Sequence, residues 1–268
     1  MRLTIDHRTR YHFSEPQARV VQLLRMTPLD FIGQTVADWS IDVDCDARLR
    51  EGRDGYGNIT TMLYVDGPID AVTIMVRGDV LTDDLAGCVK GTIEPLPPFF
   101  FTRTTPLTLA DEAIGALSSQ GDMSLDRAIA LNALVHGTIK AEPGRTPKSR
   151  TAAEVLADRR GSVRDCAHVL LAVARASGFP ARLVSGHCLD APNACSHRSA
   201  HCWAELFVDG AGWRAFDPST GRQPGETYVR VAVGLDASDS TPLSGTRRGG
   251  GIEALDVDVR VAMTQTQE

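Results

Sequence analysis

The sequence has no apolar run long enough to cross a bilayer and no tract of basic residues. A membrane-spanning helix needs about 20 consecutive apolar residues. Residues 1–16, which read MRLTIDHRTRYHFSEP, alternate polar and apolar side chains and have no apolar centre of the kind that secretory signals carry. We therefore predict a cytoplasmic protein that has no membrane partner.

Positive charge is scarcer than negative charge. The chain has 28 Lys and Arg residues against 34 Asp and Glu residues, which gives a formal net charge of -6. The tightest basic cluster, Arg247 and Arg248, is too short to form a phosphate-binding patch. These features predict that the protein has no nucleic-acid partner.

Cysteine is sparse, with six residues in a chain of 268. A chain of this length buries a core large enough to fold without disulfides. In a cytoplasmic protein, cysteines are mostly free thiols, metal ligands or catalytic groups. We therefore predict no stabilising disulfide framework, and the cysteines become candidates for chemistry.

The first third of the chain reads as strands and turns. Residues 2–13 and 35–44 alternate at period two, and DGYGN at residues 54–58 is a turn motif, which together predict antiparallel strands. Residues 94–107 are broken by prolines and read as a connector. We predict an N-terminal antiparallel β domain at residues 1–92.

Helical spacing of apolar residues follows at residues 109–119 and 124–139, and strand patterns return from residue 181. Helices followed by antiparallel strands are typical of α+β domains. We predict that residues 93–268 form a second domain in which helices pack on an antiparallel sheet. The predicted fold class is therefore α+β.

The segment GSVRDCAH, residues 161–168, begins a helix that carries a cysteine near its start. Ser162 and Asp165 form a Ser-x-x-Asp pair, which favours a capped helix start. Gly178, followed closely by a proline, ends the helix. The positive end of the helix dipole favours the thiolate form of Cys166. Cys166 is therefore a candidate nucleophile.

A nucleophilic thiolate needs a base and a carboxylate that orients the base. His201 opens the predicted strand HCWAELFVD and Asp217 closes the predicted strand WRAFD, so these two are the candidate partners of Cys166. A three-residue turn is expected to pair Asp209 with Trp213. That register puts the histidine and the aspartate on the same sheet face but about four residues apart, which is roughly 13 Å along the strand. Contact between them then requires a bulge or a sheared hairpin.

Two segments carry a family resemblance when they are taken together. RRGSVRDCAHVLLAVARASGFPARLVSGH, at residues 159–187, and HCWAELFVDGAGWRAFDPSTG, at residues 201–221, resemble the core of the bacterial transglutaminase-like proteins, many of which are assigned as candidate cysteine proteases. Residues 11–28, Trp39 and the turn at 54–58 resemble the β domain that precedes this core. Residues 228–261 are also similar to such proteins, so the resemblance covers nearly the whole chain.

This resemblance implies a papain-like fold in which a cysteine at the start of a helix faces a histidine and an aspartate on adjacent strands. The matching histidine and aspartate are His201 and Asp217. It also implies a peptide or protein amide as substrate or partner, with hydrolysis or acyl transfer as the reaction. Trp203 and Trp213 are expected in the cleft wall or the core beside it.

The sequence departs from the family pattern at the nucleophile. The pattern reads Gly-x-Cys-x-Asp-aromatic-Ala-His, and it aligns with Gly161, Asp165, Ala167 and His168. This alignment puts Val163 where the cysteine is expected, and a valine side chain has no nucleophilic atom. The resemblance therefore implies a degenerate or inactive relative that binds a peptide or protein in the old cleft, with Val163 in the cleft wall.

One alternative retains catalysis, with Cys166 as a replacement nucleophile. Side chains at i and i+3 share a helix face, so Cys166 lies on the same face as Val163. One turn displaces it by about 4.5 Å along the axis, whereas catalysis is sensitive to displacements of about 1 Å. The alternative function is a cysteine-dependent amide or peptide hydrolase, or an acyltransferase, that uses Cys166, His201 and Asp217.

A second alternative is zinc binding by residues 187–202. This segment contains three of the six cysteines and three of the seven histidines, and thiolates and imidazoles are zinc ligands. No common zinc pattern has the spacing of Cys188, Cys195, His197, His201 and Cys202. In a zinc site of this kind His201 would be a ligand and would no longer serve the relay. We predict no cofactor, with zinc as the second alternative. The sequence does not determine the oligomeric state.

Overall fold

The computed structural model describes residues 1–142, 144, 149–190, 194–197 and 199–264. Within these ranges the chain has fourteen strands and five α-helices, and none of the helices is both long and apolar enough to span a bilayer. The strands are β1 (Arg2–Thr27), β2 (Gln34–Val43), β3 (Arg48–Arg53), β4 (Ile59–Thr82), β5 (Cys88–Val89), β6 (Lys140–Ala141), β7 (Arg160–Gly161), β8 (Ala181–Cys188), β9 (Ala194–His197), β10 (His201–Val208), β11 (Gly212–Phe216), β12 (Tyr228–Gly234), β13 (Leu243–Arg248) and β14 (Glu253–Met263). The helices are α1 (Glu112–Leu117), α2 (Leu125–Thr138), α3 (Ala152–Asp158), α4 (Val163–Ala176) and α5 (Ala237–Ser240).

The first sheet is antiparallel and has seven strands. Its hydrogen-bonded order is β2-β4-β1-β14-β9, with β3 paired to β4 and β13 paired to β1. Buried and outward side chains alternate along the start of β1, where Leu3, Ile5 and His7 are buried. This is the period-two pattern of a strand with one face against a core. The predicted N-terminal antiparallel sheet is confirmed.

Strands from the end of the chain complete the first sheet. β14 pairs with β1 from Leu3↔Met263 to Phe13↔Glu253, and β13 pairs with the later part of β1. β9 pairs with β14 and forms one edge of the sheet. The long strand β1 has two edges of N–H and C=O groups that need partners; β4 pairs with one edge, and β13 and β14 pair with the other. The predicted division between residues 92 and 93 stays a prediction; strands from both sides of it share this sheet.

The second sheet has five antiparallel strands in the order β12-β8-β10-β11-β5. Helix α4 packs on β8 and β10, and α1, α2 and α3 pack around α4. Residues 165–175 of α4 are all buried, and its apolar side chains share one core cluster with Leu206 and Phe216 of the sheet. Helices on an antiparallel sheet were predicted for this part of the chain, and that prediction is confirmed.

A capping box fixes the start of α4. The Ser162 hydroxyl accepts a hydrogen bond from the Asp165 backbone N–H (3.3 Å), and Asp165 Oδ2 accepts one from the Ser162 N–H (3.0 Å). These bonds satisfy amide groups that a helix start would otherwise leave without partners. The helix ends at Ala176, and Gly178 follows with a φ of 90°, a left-handed conformation that glycine adopts without strain. The sequence predicts both ends.

Candidate active-site cleft

His201 and Asp217 contact each other where β10 begins and β11 ends. His201 is the first residue of β10, and Asp217 directly follows β11. His201 Nε2 lies 2.8 Å from Asp217 Oδ2, a distance typical of a charge-assisted hydrogen bond. The histidine side chain is 12% exposed and the aspartate side chain is fully buried. The imidazole is therefore accessible, and the carboxylate behind it is not.

The register of the β10–β11 hairpin explains this contact. Val208 pairs with Gly212, and the pairing continues to Ala204↔Phe216 without a shift. The predicted pairing of Asp209 with Trp213 is therefore wrong by two residues, since Trp213 pairs with Phe207. Continuing the observed register leaves the His–Asp pair about two residues apart, roughly 7 Å along the strand. Two side chains bridge that distance, so no bulge is needed between these strands.

Asp217 is held by four contacts, which involve both of its oxygens. Oδ2 also accepts a hydrogen bond from the Tyr228 hydroxyl (2.8 Å). Oδ1 accepts bonds from the Ser219 hydroxyl (2.6 Å) and the Ser219 N–H (2.9 Å). Burial raises the pKa of the Asp217 carboxyl, but the bond and charge of His201 and the bonds from Ser219 and Tyr228 outweigh it, so the pKa lies below its ordinary value. The carboxylate is therefore charged and orients the imidazole.

Sequence reasoning missed Ser219 and Tyr228 as members of this group. Ser219 lies two residues after Asp217, a spacing at which an aspartate often bonds to the following backbone in a turn, so a signal was present. Tyr228 is the first residue of β12, and β12 is separated from β10 in the sheet by β8. A contact across three strands has no local sequence signal.

A cavity of about 970 Å³ opens beside His201, between the two sheets. Val163, the first residue of α4, is half-buried and borders this cavity together with His201. Other parts of its wall come from Tyr11 of β1 and Leu255 of β14. The cleft is therefore built jointly by the first sheet and the helical core.

Cys166 lies one turn further along α4 and faces the core. Its side chain has no solvent exposure and packs in the same apolar cluster as Leu170 and Phe216. Among the described residues that border the cavity, Val163 is included and Cys166 is not. Burial raises the pKa of the Cys166 thiol to about 12, and the negative charges of Asp165 and Asp217 add to this effect. Burial thus outweighs the helix dipole, which was expected to favour the thiolate.

Comparison with known proteins decides the family. Residues 3–81 match the family model described as the bacterial transglutaminase-like N-terminal region, and residues 111–218 match the transglutaminase-like superfamily core. The second range contains Val163, His201 and Asp217. The chain belongs to the transglutaminase-like superfamily.

Similar proteins cover almost the whole of this transglutaminase-like chain. An uncharacterized protein of Mycobacterium leprae is 26% identical over an alignment of 278 positions, which covers 97% of this chain and 98% of the relative. An uncharacterized protein of Mycobacterium tuberculosis is 24% identical over 91% of this chain and 87% of the relative. The crystal structure of a candidate cysteine protease from Cytophaga hutchinsonii superposes with a TM-score of 0.77 at 19% identity, over 100% of this chain and 92% of that one. At this identity, the structural likeness shows the fold alone, which is the papain-like fold that the resemblance implied.

The two tryptophans of the transglutaminase-like core are both buried, and Trp203 lies beside His201. Trp203 is packed with its ring centroid 5.4 Å from that of Tyr228 and 6.2 Å from that of His201. Trp213 lies under a guanidinium group, with Arg182 Cζ 4.0 Å from the ring centroid. Both belong to a cluster under the second sheet. Their role as cleft-lining residues stays a prediction; of the two, Trp203 packs against His201 from within the core.

The Cys/His segment at residues 187–202 is divided between different surroundings. His187 is buried, with its ring centroid 5.6 Å from that of His7. Cys202 is buried in the core cluster of α4. Residues 191–193 and 198 of the segment lie outside the described residues. His187 and Cys202, at the two ends of the segment, therefore lie in separate parts of the core.

Three potential metal ligands of this segment do converge. One ligand atom each from Asp190, Cys195 and His197 lies within 4.8 Å of the other two. His201 is not in this group, and its Nε2 is bonded to Asp217. Sequence reasoning missed Asp190 because a single aspartate two residues after a cysteine matches no ligand pattern.

Proposed function

We propose that this transglutaminase-like chain has lost the thiol nucleophile and binds a peptide or protein segment in the cleft without cleaving it. The observation that carries the proposal is Val163, which borders the cavity together with His201. By family resemblance this position carries the cysteine, and valine offers no lone pair for attack on an amide. A cytoplasmic location is part of the proposal, and it is supported by the six cysteines, which are all free thiols.

The retained His–Asp pair is compatible with a binding role. Asp217 ties together β12, through Tyr228, and the turn after β11, through Ser219. His201 presents a polar ring to the cavity in a fixed orientation. A fixed imidazole gives orientation and specificity to a bound amide, which is the usual role of the few polar groups in a binding cleft. The His–Asp pair therefore has a role in binding even without the nucleophile.

The lining of the cavity suits an extended peptide. Its volume of about 970 Å³ lies at the upper end of the range for ligand pockets, so it has room for a short peptide segment. Apolar side chains such as Leu243 and Leu255 share the wall with the hydroxyl groups of Ser219 and Thr246. A peptide backbone needs hydrogen-bond partners along its length, and its side chains need apolar surface. The wall offers both.

The alternative function, catalysis by Cys166, is supported by the contact between His201 and Asp217. It is opposed by the surroundings of the thiol, which has no exposure and a pKa raised to about 12. A thiol with that pKa has almost no thiolate at neutral pH, and the thiolate is the nucleophile. Catalysis would also require α4 to move out of the core that it fills.

Thiol labelling distinguishes the two functions. Wild-type protein is treated with iodoacetamide under native conditions, and alkylated cysteines are mapped by mass spectrometry. We expect Cys166 to stay unlabelled, and we expect Val163→Cys to gain a reactive thiol whose labelling slows when His201→Ala is added. Rapid labelling of Cys166 in the wild type, together with hydrolysis of a peptide amide, would overturn the proposal.

Peptide binding is tested with an array of short synthetic peptides and fluorescence polarisation on the hits. Val163→Trp and Ser244→Trp each place a large ring at the cavity wall, and both are expected to abolish binding. Leu49→Trp, on the exposed strand β3, is the matched control and is expected to bind normally. Thermal denaturation of all variants separates a blocked cleft from a lost fold. Binding that survives both blocking substitutions contradicts the assignment of the cleft.

A further inference from the structure

Asp190, Cys195 and His197 bring metal-ligand atoms together at the cavity wall. His197 Nε2 lies 3.1 Å from Cys195 Sγ and 3.6 Å from Asp190 Oδ1. Zinc ligands lie about 2.0–2.3 Å from the ion, which puts tetrahedral ligand atoms about 3.3–3.8 Å from one another. The three side chains are therefore within a small adjustment of a zinc geometry.

Strand β9 and the segment after β8 hold these residues in place. Cys195 and His197 are two residues apart on β9, so their side chains lie on the same face. Their backbones pair with β14, at Val261↔Cys195 and Val259↔His197. Asp190 follows the end of β8, where the Leu189 N–H donates a hydrogen bond to the carbonyl oxygen of Thr227 (2.8 Å). Two anchored segments from different sheets therefore supply the ligand atoms.

We infer that Asp190, Cys195 and His197 bind a divalent transition-metal ion, for which zinc is the best match. A thiolate, an imidazole and a carboxylate form a donor set that suits zinc. Calcium and magnesium prefer all-oxygen sites, so they fit this set poorly. Cys195 and His197 are half-buried and Asp190 is exposed, so an ion reaches the site from solvent.

The position of the site gives the ion a role. Three protein ligands leave one tetrahedral position open, and Asp190 and His197 border the cavity. A carboxylate, thiolate or carbonyl group of a molecule in the cavity is the kind of ligand that this open position would bind. The ion also joins the end of β8 in the second sheet to β9 in the first, so binding stabilises the packing of the sheets. His201 keeps its bond to Asp217, so the two sites coexist.

Zinc titration of the full chain tests the inference. Metal-free protein, prepared with a chelator and kept reduced, is titrated with zinc sulfate in a calorimeter, and we expect one zinc per chain and a higher melting temperature. Cys195→Ser and His197→Ala are each expected to lower the affinity by more than about 100-fold, since the loss of a group that only orients a ligand costs up to that factor. Asp190→Asn, which keeps the shape of the side chain, is expected to weaken binding as well.

Matched controls use the same residue types elsewhere. Cys45 lies between β2 and β3, and His12 lies on β1, so neither is on β9. The Cys45→Ser and His12→Ala variants are both expected to bind zinc like the wild type. Cobalt adds a spectroscopic readout, because a thiolate-to-cobalt charge-transfer band should appear in the wild type and disappear in Cys195→Ser. Far-ultraviolet circular dichroism of the metal-free variants checks their folding.

The outcomes separate clearly. No zinc uptake by folded wild-type protein overturns the inference, and so does equal affinity in the ligand variants and the controls. The inference does not depend on the proposed function, because the labelling of Val163→Cys reports on the nucleophile position and zinc affinity reports on β9. Failure of either result leaves the other standing.

Discussion

Tyr228 and His201 contact the same oxygen of Asp217. The tyrosine hydroxyl donates to Oδ2 at 2.8 Å, and His201 Nε2 lies 2.8 Å from that atom. The tyrosine and histidine rings also meet edge to face, with centroids 5.6 Å apart. The tyrosine therefore fixes both the carboxylate and the ring that the carboxylate orients.

Tyr228→Phe removes one hydrogen bond to this buried carboxylate and keeps the aromatic ring. We expect the free energy of unfolding to fall by about 1.5–3 kcal/mol, the range for hydrogen bonds to charged groups. Urea denaturation measures the change. Tyr64→Phe on β4 is the matched control, with an expected change below about 0.5 kcal/mol. Equal losses in the two variants would count against a specific role for the shared oxygen.

Cys166→Ser places a hydroxyl group in the apolar core around α4. The site has no solvent exposure, so we expect the free energy of unfolding to fall by about 1–3 kcal/mol through the cost of burying the hydroxyl. Cys88→Ser, at a half-buried position, is the control and should change stability much less. Unchanged stability of Cys166→Ser would mean that water reaches position 166.

Glu205→Gln tests a buried ion pair through its dependence on pH. Glu205 lies 2.6 Å from Arg182 and 2.8 Å from Arg230. Burial raises its pKa, but the charges of Arg230 and Arg182 and their hydrogen bonds lower it to about 2. Because the folded pKa lies below the ordinary value of 4.5, the stabilisation is present above about pH 4.5 and is lost as the pH falls towards 2.

We expect Glu205→Gln to lose about 3–5 kcal/mol at neutral pH, the cost of breaking a buried pair. The difference from the wild type should shrink as the pH falls from about 4.5 to about 2. Urea denaturation at several pH values measures both curves. Curves that run parallel across this range would show that the carboxylate has an ordinary pKa in the folded protein.

Ser162→Ala removes the hydroxyl that caps α4. The expected loss is about 1 kcal/mol, typical for an N-cap, and Ser162→Thr should restore most of it. Thr151→Ala provides a comparison at α3, whose capping box is exposed. Thermal denaturation measures both. A Ser162→Ala protein as stable as the wild type would mean that packing alone fixes the helix start.

The sequence predicts the parts of the fold that are encoded locally. The Ser162–Asp165 pair and Gly178 define α4 because caps act within a few residues of the helix end. Alternating apolar residues define β1 because one face of the strand is buried. The family pattern selects His201 and Asp217 although they are 16 residues apart.

Other features depend on long-range packing and have no local signal. The return of β14 to β1 joins residues about 250 positions apart, and antiparallel pairing of this kind leaves no trace in either strand alone. The burial of Cys166 depends on α1, α2 and α3, which surround α4. The register of β10 and β11 is set by the three-residue turn between them. If that turn moves by one residue along the chain, every residue pair of the two strands changes.

The pairing of β1 with β14 also determines when the cleft can form. During synthesis the ribosome releases β1 long before β13 and β14, and its partners from the end of the chain do not yet exist. Because Tyr11 and Leu255 both border the cavity, the binding site is assembled only after β14 has been synthesised. Until then the edge of β1 that does not pair with β4 is open, so the nascent chain depends on β13 and β14 to cover an aggregation-prone edge.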